Sequence, residues 1–204
     1  NRAMVNLTFP AFHIFPRDRW CTEYLAREFG LTDRVSQSSD LAFADLPRQN
    51  EPGLAAQTLA DHGLQPDGYV TLVVSAIQSS GYYTSDRDLY LARWQEIAGR
   101  LLADPRLDGR RLVLLAHTHG EHYGDEPAYI EALLQRFDPG ERERITAIPQ
   151  RILPTRARLV LGNGLFTITG RMHPAVSTFQ MGKPAIALSY SKKYAGVIGT
   201  MLGR

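Results

Sequence analysis

The sequence predicts an α/β protein in which a Rossmann-like parallel sheet is flanked by helices. Apolar, β-rich runs at Tyr69–Ala76, Arg111–Ala116 and Ile145–Ile148 alternate with segments of helical spacing, an alternation typical of parallel sheets. These runs are apolar at successive positions, as expected of strands buried on both faces. From Leu165 to Leu188 the chain reads as strand, tight turn, helix and strand, which is a further βαβ crossover.

Helices are predicted between these strands, where apolar residues recur at helical spacing. The predicted helices span Asp86–Ala103, Pro127–Phe137, Pro154–Leu161 and the segment from Arg171 to Gly182. In the first of them, the residues expected to face the core are Leu89, Trp94, Ile97, Leu101 and Leu102.

The N-terminal part of the chain predicts a single βα unit. A helix is expected over Arg19–Phe29, because Asp18 can cap its start and Gly30 can end it. Brief strand-like pieces follow at Val35 and Leu41–Phe43. This is too little to stand as a domain.

The domain division follows from the distribution of chain breakers. Glycine and proline are dense over residues 46–67, which predicts a linker with a short helix near Leu54–His62. We therefore expect residues 1–45 to be the C-terminal part of a first α/β domain or a docking segment. Residues 68–204 are then a Rossmann-like C-terminal domain.

Composition excludes several classes of protein. No segment approaches the roughly 20 apolar residues that span a bilayer, so no membrane span is expected. The net charge of +2 comes without the interleaved basic and aromatic clusters of a nucleic-acid surface. A single cysteine, Cys21, excludes an internal disulfide and suits the cytoplasm. Because the chain does not begin with Met, we expect it to start inside a larger gene product.

The turn between the strand ending at Thr169 and the following helix is the strongest candidate site. Gly170 breaks the strand, and Arg171 and His173 fall in the first turn of the helix. Unpaired N–H groups and the helix dipole attract anions at such a position. Arginine binds a carboxylate or phosphate with two donors, and histidine can move a proton near neutral pH. A surface arginine beside a packed histidine is the alternative.

Charge distribution points to the same part of the chain. Between residues 151 and 204 there is no Asp or Glu, although eight Lys or Arg occur there, which favours a negatively charged ligand. Lys192 follows the last predicted strand, so it is expected near the same sheet edge. A solvated basic face is the alternative interpretation.

A histidine-rich loop follows the second strand. His117, His119, Glu121 and His122, followed by Asp125, resemble the zinc motif of metallo-β-lactamase-fold hydrolases. Those enzymes need a further carboxylate downstream, and none occurs after Glu143. We therefore predict no metal site, and expect His117 instead to help bind a sugar or the anionic substrate. The sequence also lacks nucleotide-binding fingerprints, and no cofactor is expected.

The C-terminal part of the chain resembles the polysaccharide pyruvyl transferase family. The resemblance rests on Arg171-Met172-His173, the turn Gly182-Lys183-Pro184, the strand that follows it, and Ser189-Tyr190 with Lys192. Phe15-Pro16-Arg17-Asp18, which precedes the first helix, is similar to the end of the family's first domain. The resemblance implies a glycosyltransferase-B-like (GT-B-like) arrangement of two Rossmann-like domains with the active site between them. This chain would hold the second domain and a short remnant of the first.

The resemblance also implies an activity and roles for residues. The enolpyruvyl group of phosphoenolpyruvate would pass to a sugar diol, giving a pyruvate ketal and phosphate in cell-surface polysaccharide synthesis. Arg171 would hold the donor carboxylate or phosphate, and His173 would bind the phosphate or deliver a proton. Lys192 would stabilise the departing phosphate, and Arg17 would close over the donor. Gly170 would belong to the substrate-binding turn.

Two other functions remain open at this point. A transferase of the same architecture could use a nucleotide sugar, whose diphosphate would also suit a helix terminus. A non-catalytic module that binds an anion is the third hypothesis.

Overall fold

The computed structural model describes residues 12–120 and 124–203 of the 204-residue chain. Contacts divide the chain into two compact units. The larger unit is Asp45–Tyr190, and the smaller one contains the described parts of Asn1–Ala44 and Ser191–Arg204.

The larger unit is built on a parallel sheet of five strands. The strands are β1 (Tyr69–Val73), β2 (Arg111–Leu115), β3 (Ile145–Ile148), β4 (Thr167–Thr169) and β5 (Ala185–Ala187). They lie in the order β3-β2-β1-β4-β5, and each pair of neighbours is parallel. This confirms the predicted α/β fold with a Rossmann-like sheet.

Helices cover both faces of this sheet. In the larger unit they are α2 (Leu54–Ala60), α3 (Arg87–Ala103), α4 (Glu126–Leu134), α5 (Pro139–Glu143), α6 (Pro154–Asn163) and α7 (Met172–Gln180). One buried cluster joins Leu72 and Leu114 to α3 and α4, and the other joins Val73 and Leu115 to α2 and α6. The two clusters form a three-layer core, as expected of strands buried on both faces.

The predicted apolar face of α3 is partly wrong. Leu89 is 42% exposed, whereas its neighbours Tyr90 and Leu91 are each 2% exposed and Trp94 is 1% exposed. Helical spacing alone allowed either face, and the position of the sheet selects the one that contains Tyr90.

The segment 46–67 packs against the core of the larger unit. Leu59, in α2, and Leu64 are each 2% exposed and lie in the same cluster as Tyr69 and Val160. The described contacts thus group this segment with the Rossmann-like unit, while the division of the whole protein into domains stays a prediction.

In the described part of the smaller unit, the first helix is α1 (Arg19–Phe29). Asp18 caps it by accepting a hydrogen bond from the backbone N–H of Cys21 at 2.8 Å, and Gly30 ends it at φ 65°. Both ends agree with the prediction. The strand expected at Leu41–Phe43 is wrong: these residues form a 3₁₀ turn, because the Asp40 carboxylate accepts from the N–H of Ala42 at 2.9 Å.

The smaller unit also contains a π-helical segment, Ala195–Gly199. Among the described residues, no helix combines the length and the apolarity that crossing a membrane requires.

Candidate functional site

The order of the strands defines where a ligand would bind in the larger unit. The chain passes from β1 outward to β2 and β3, and then returns to place β4 on the other side of β1. Open α/β sheets bind ligands beyond the carboxyl ends of strands at such a switch point. Residues 74–79, after β1, and 170–171, after β4, lie there.

The turn after β4 holds Arg171 in a defined backbone position. The Thr169 hydroxyl accepts a hydrogen bond from the Arg171 N–H at 2.9 Å and donates to the Arg171 carbonyl at 3.0 Å. The N–H of Gly170 donates to the carbonyl of Val73 at 2.9 Å. Arg171 is the N-cap residue of α7, and its own side chain makes no capping hydrogen bond. The first N–H groups of a helix have no partner within the helix, and those of α7 point toward the switch point.

A buried carboxylate joins this turn to the end of β2. Glu126, the first residue of α4, is fully buried. One of its oxygens accepts from Arg171 Nε at 2.6 Å, and the other accepts from the backbone N–H groups of His117 and Thr118 at 2.8 Å each. Three donors on one carboxylate match the ionised form, which only accepts hydrogen bonds. Glu126 thus orients the guanidinium and anchors the His117 loop.

Sequence reasoning missed Glu126. The only local signal was an acidic residue before Pro127 in the first turn of a helix, which is a common and purely structural position. Nothing in that pattern predicts that its partner is Arg171, 45 residues away.

The electrostatics of the site show that several cationic groups lie close together. Burial, with smaller contributions from the nearby His173, Arg171 and His119, lowers the pKa of His117 to about 4. Burial raises the pKa of Glu126, while the Arg171 guanidinium opposes that rise. At neutral pH His117 is therefore an uncharged imidazole beside a fixed positive charge.

The predicted residues of the larger unit come together at this turn. Arg171 has 13% of its side chain exposed, and His173, the second residue of α7, is exposed. His117 is half-buried, and the positive charges of both residues lower its pKa. Guanidinium and imidazoles thus border one surface and are not sealed inside apolar packing.

Gly170 is required by close packing. A Cβ atom there would lie 2.4 Å from Gln78 Oε1 and 2.8 Å from Ser75 Cβ. Gln78 is itself held, since its amide donates to the Leu188 carbonyl at 2.7 Å and its oxygen accepts from the Tyr90 hydroxyl at 3.1 Å. Gln78 thus packs against the turn at Gly170, a contact that no sequence pattern had indicated.

The histidine-rich loop is described only in part. Glu121 and His122 lie outside the described residues. In the part that is described, no three His, Cys, Asp or Glu side chains are grouped as a metal site. Burial and the charge of Arg151 lower the pKa of His119.

Arg17 and Lys192 belong to the smaller unit. Arg17 forms an ion pair with Asp40, with Nη1 and Oδ2 2.7 Å apart, and Lys192 is exposed. Their part in substrate binding stays a prediction.

The fold and the site together define an α/β protein with a GT-B-like fold, with a turn that carries Arg171 and His173 at the switch point of its sheet. The chain belongs to the polysaccharide pyruvyl transferase family, whose model matches residues 6–192. This confirms the resemblance predicted from the sequence. No curated protein matches the chain.

Two solved structures of UDP-GlcNAc 2-epimerase from Methanocaldococcus jannaschii are similar to this chain. The complex with UDP-GlcNAc and UDP has a TM-score of 0.60 at 10% identity, and covers 89% of this chain and 47% of that one. The other structure has a TM-score of 0.64 at 11% identity, and covers 90% and 48%. The chain spans about half the length of these structures, and the likeness shows a shared fold.

Proposed function

We propose that this chain carries the donor site of an enzyme that moves the enolpyruvyl group of phosphoenolpyruvate onto a sugar diol. The products are a pyruvate ketal, in cell-surface polysaccharide synthesis, and phosphate. Membership of the family gives the transferase class. The observation that carries the assignment to this site is the grouping of Arg171, His173 and His117 at the start of α7.

The donor has two anionic groups, a carboxylate and a phosphate. Arg171 matches one of them, because a guanidinium offers a planar set of donors to an oxyanion. Glu126 takes the Nε donor at 2.6 Å, which orients the terminal nitrogens. The N–H groups of α7 and the His173 side chain match the second anion.

The proposed reaction balances without a redox partner. His173, as its imidazolium, gives a proton to the methylene carbon of phosphoenolpyruvate, which becomes a methyl group. One hydroxyl of the diol bonds to the central carbon and returns its proton to His173. Phosphate leaves with the C–O bond electrons, and the second hydroxyl closes the ketal and releases the last proton. No cofactor is part of this scheme.

We also propose a cytoplasmic location, since the lone Cys21 suits a reducing compartment.

Ligand-induced stabilisation tests the donor. At about 100 times its Kd, phosphoenolpyruvate should add about 2.7 kcal/mol to the free energy of unfolding, or about 5–10 °C in Tm. UDP and GDP should add little; if they stabilise and phosphoenolpyruvate does not, a nucleotide-sugar transferase replaces the proposal.

Variants of Arg171 test whether phosphoenolpyruvate stabilises the protein by binding at this residue. Arg171→Ala should abolish stabilisation by phosphoenolpyruvate, but it also leaves Glu126 without its guanidinium. Arg171→Lys keeps a positive charge near Glu126 and loses the planar fork, so it should retain the fold and still bind the donor poorly. Arg106→Ala, in the turn before β2, is the matched control and should respond like the wild type.

Kinetics of the whole protein test the proton transfer. Arg171→Lys should mainly raise the KM for the donor, and His173→Ala should mainly lower kcat. Unchanged turnover in His173→Ala would remove His173 from the chemistry. No turnover by the whole protein, with donor binding intact, would indicate a non-catalytic module.

A further inference from the structure

A cavity of the larger unit lies beside the proposed donor site. It has a volume of about 630 Å³ and lies between the loop after β1, helix α3 and the end of β5. This volume is within the range of small-ligand sites. Its lining includes Gln78, the residue that packs against Gly170.

Tyrosine rings dominate the mouth of this cavity. Tyr82 and Tyr83 are each 60% exposed. The rings of Tyr82 and Tyr190 lie 5.1 Å apart at 55°, so two rings from separate segments meet at one edge. Exposed aromatic groups clustered in this way mark a binding surface more often than a packing requirement.

The floor of the cavity continues the aromatic character, and its rim is charged. Trp94 lines it, and the Tyr90 ring stands edge-on to Trp94 at 6.4 Å. On the exposed side of α3, Glu96 lies between Arg93 and Arg100, at 3.1 and 2.7 Å. The lining thus combines flat apolar faces with carboxylate and guanidinium groups.

We infer that this cavity binds the saccharide acceptor. A sugar ring has an apolar face of C–H groups, which packs on the electron-rich face of an aromatic ring. Its hydroxyls need polar partners at the edge, and Glu96, Arg93 and the Ser189 hydroxyl supply such groups. A lipid chain would require a fully apolar cavity, whereas this one also carries charged groups. A nucleotide would require an anion site, whereas the guanidinium groups of Arg93 and Arg100 are both paired with Glu96.

The position of Gln78 connects the two ligands. Its amide donates to the Leu188 carbonyl at the cavity, and its oxygen packs at the Gly170 turn. Gln78 therefore borders both the cavity and the turn that holds Arg171. The inference rests on the proposed function, because it takes the donor to lie at Arg171.

Saturation-transfer NMR on the full chain tests the inference, with the methyl glycosides of glucose, galactose and mannose as probes. We expect transfer to the ring protons of at least one glycoside. With each glycoside held well below its Kd, the double variant Tyr82→Leu/Tyr190→Leu should lose at least about nine-tenths of that signal, which then corresponds to a roughly tenfold loss of affinity. Tyr24→Leu, a tyrosine that is 51% exposed in α1 of the smaller unit, is the control and should keep the signal.

Two outcomes would overturn the inference. One is the absence of transfer to all three glycosides, and the other is an unchanged signal in the double variant. Phosphoenolpyruvate stabilisation is measured on the same samples. If it persists while the glycosides fail, only the acceptor site is wrong; if glycosides bind and phosphoenolpyruvate does not, the donor proposal is wrong. Circular dichroism of each variant confirms that it is folded.

Discussion

Replacement of Glu126 by glutamine is the sharpest test of how the site is built. The carboxylate is fully buried and accepts three hydrogen bonds, from Arg171 Nε at 2.6 Å and from the N–H groups of His117 and Thr118 at 2.8 Å. Glutamine keeps the shape but has one oxygen and one NH₂ group. In either orientation the NH₂ group faces a donor, so at least one buried contact becomes repulsive.

The magnitude follows from the contacts that are lost. Breaking a buried ion pair by removing one partner costs about 3–5 kcal/mol. Arg171 keeps 13% of its side chain exposed, which lets water compensate in part and places the cost near about 3 kcal/mol. For a domain of this size each kcal/mol lowers Tm by about 2–4 °C, which predicts a decrease of about 6–12 °C.

Thermal unfolding followed by circular dichroism measures this effect. Glu131→Gln is the matched control, because Glu131 lies on the same helix and is exposed; its Tm should change by less than about 2 °C. If Glu126→Gln also stays within that limit, Glu126 does not hold Arg171 and the loop together. If the Tm of Glu126→Gln is normal but phosphoenolpyruvate no longer stabilises the variant, then Glu126 orients Arg171 for binding without contributing to the stability of the fold.

Three further predictions concern single positions. Because the pKa of His117 is lowered to about 4 in the folded protein, the unfolded chain binds a proton there as pH falls from about 6.5. The unfolding free energy, measured in urea, should drop by about 1–2 kcal/mol between about pH 7 and pH 5 because of His117. In His117→Asn this pH-dependent loss should be absent. Gly170→Ala should cost about 1–3 kcal/mol, because the added Cβ would lie 2.4 Å from Gln78 Oε1. Gly99→Ala, with open space around it, should be neutral or stabilising by up to about 1 kcal/mol; the reverse order of Tm values would contradict the packing argument. Asp18→Ala should lose the cap of α1 and about 1 kcal/mol, with Asp18→Ser recovering most of it; equal urea midpoints for both variants would exclude the capping role.

Local signals were sufficient for most of the secondary structure. Ile145–Ile148 and Arg19–Phe29 were predicted at their observed bounds, since apolar periodicity and capping residues act within a few positions. The prediction failed at Leu41–Phe43, where the Asp40 side chain bonds to the following backbone. Such a bond competes with the extended conformation that the apolar residues favour.

The order of strands was beyond local reasoning. The sequence predicted a parallel sheet, but not that β4 lies beside β1, and that pairing creates the switch point. It depends on which hydrophobic faces bury each other over long separations. The same applies to Leu59 and Leu64, which sit among glycines and prolines and still enter the core.

The residues of the candidate site also fall into those that local sequence predicts and those that only tertiary packing reveals. Arg171 and His173 could be named from residue order alone, because a glycine, a cation and a helix start are neighbours in the chain and their chemistry is local. Glu126 and Gln78 could not be named, because their roles exist only where distant segments meet: a carboxylate is brought to Arg171 across 45 residues, and an amide to Leu188 across 110. Chain order carries the conformational preferences of adjacent residues, whereas packing decides which buried polar groups must find partners.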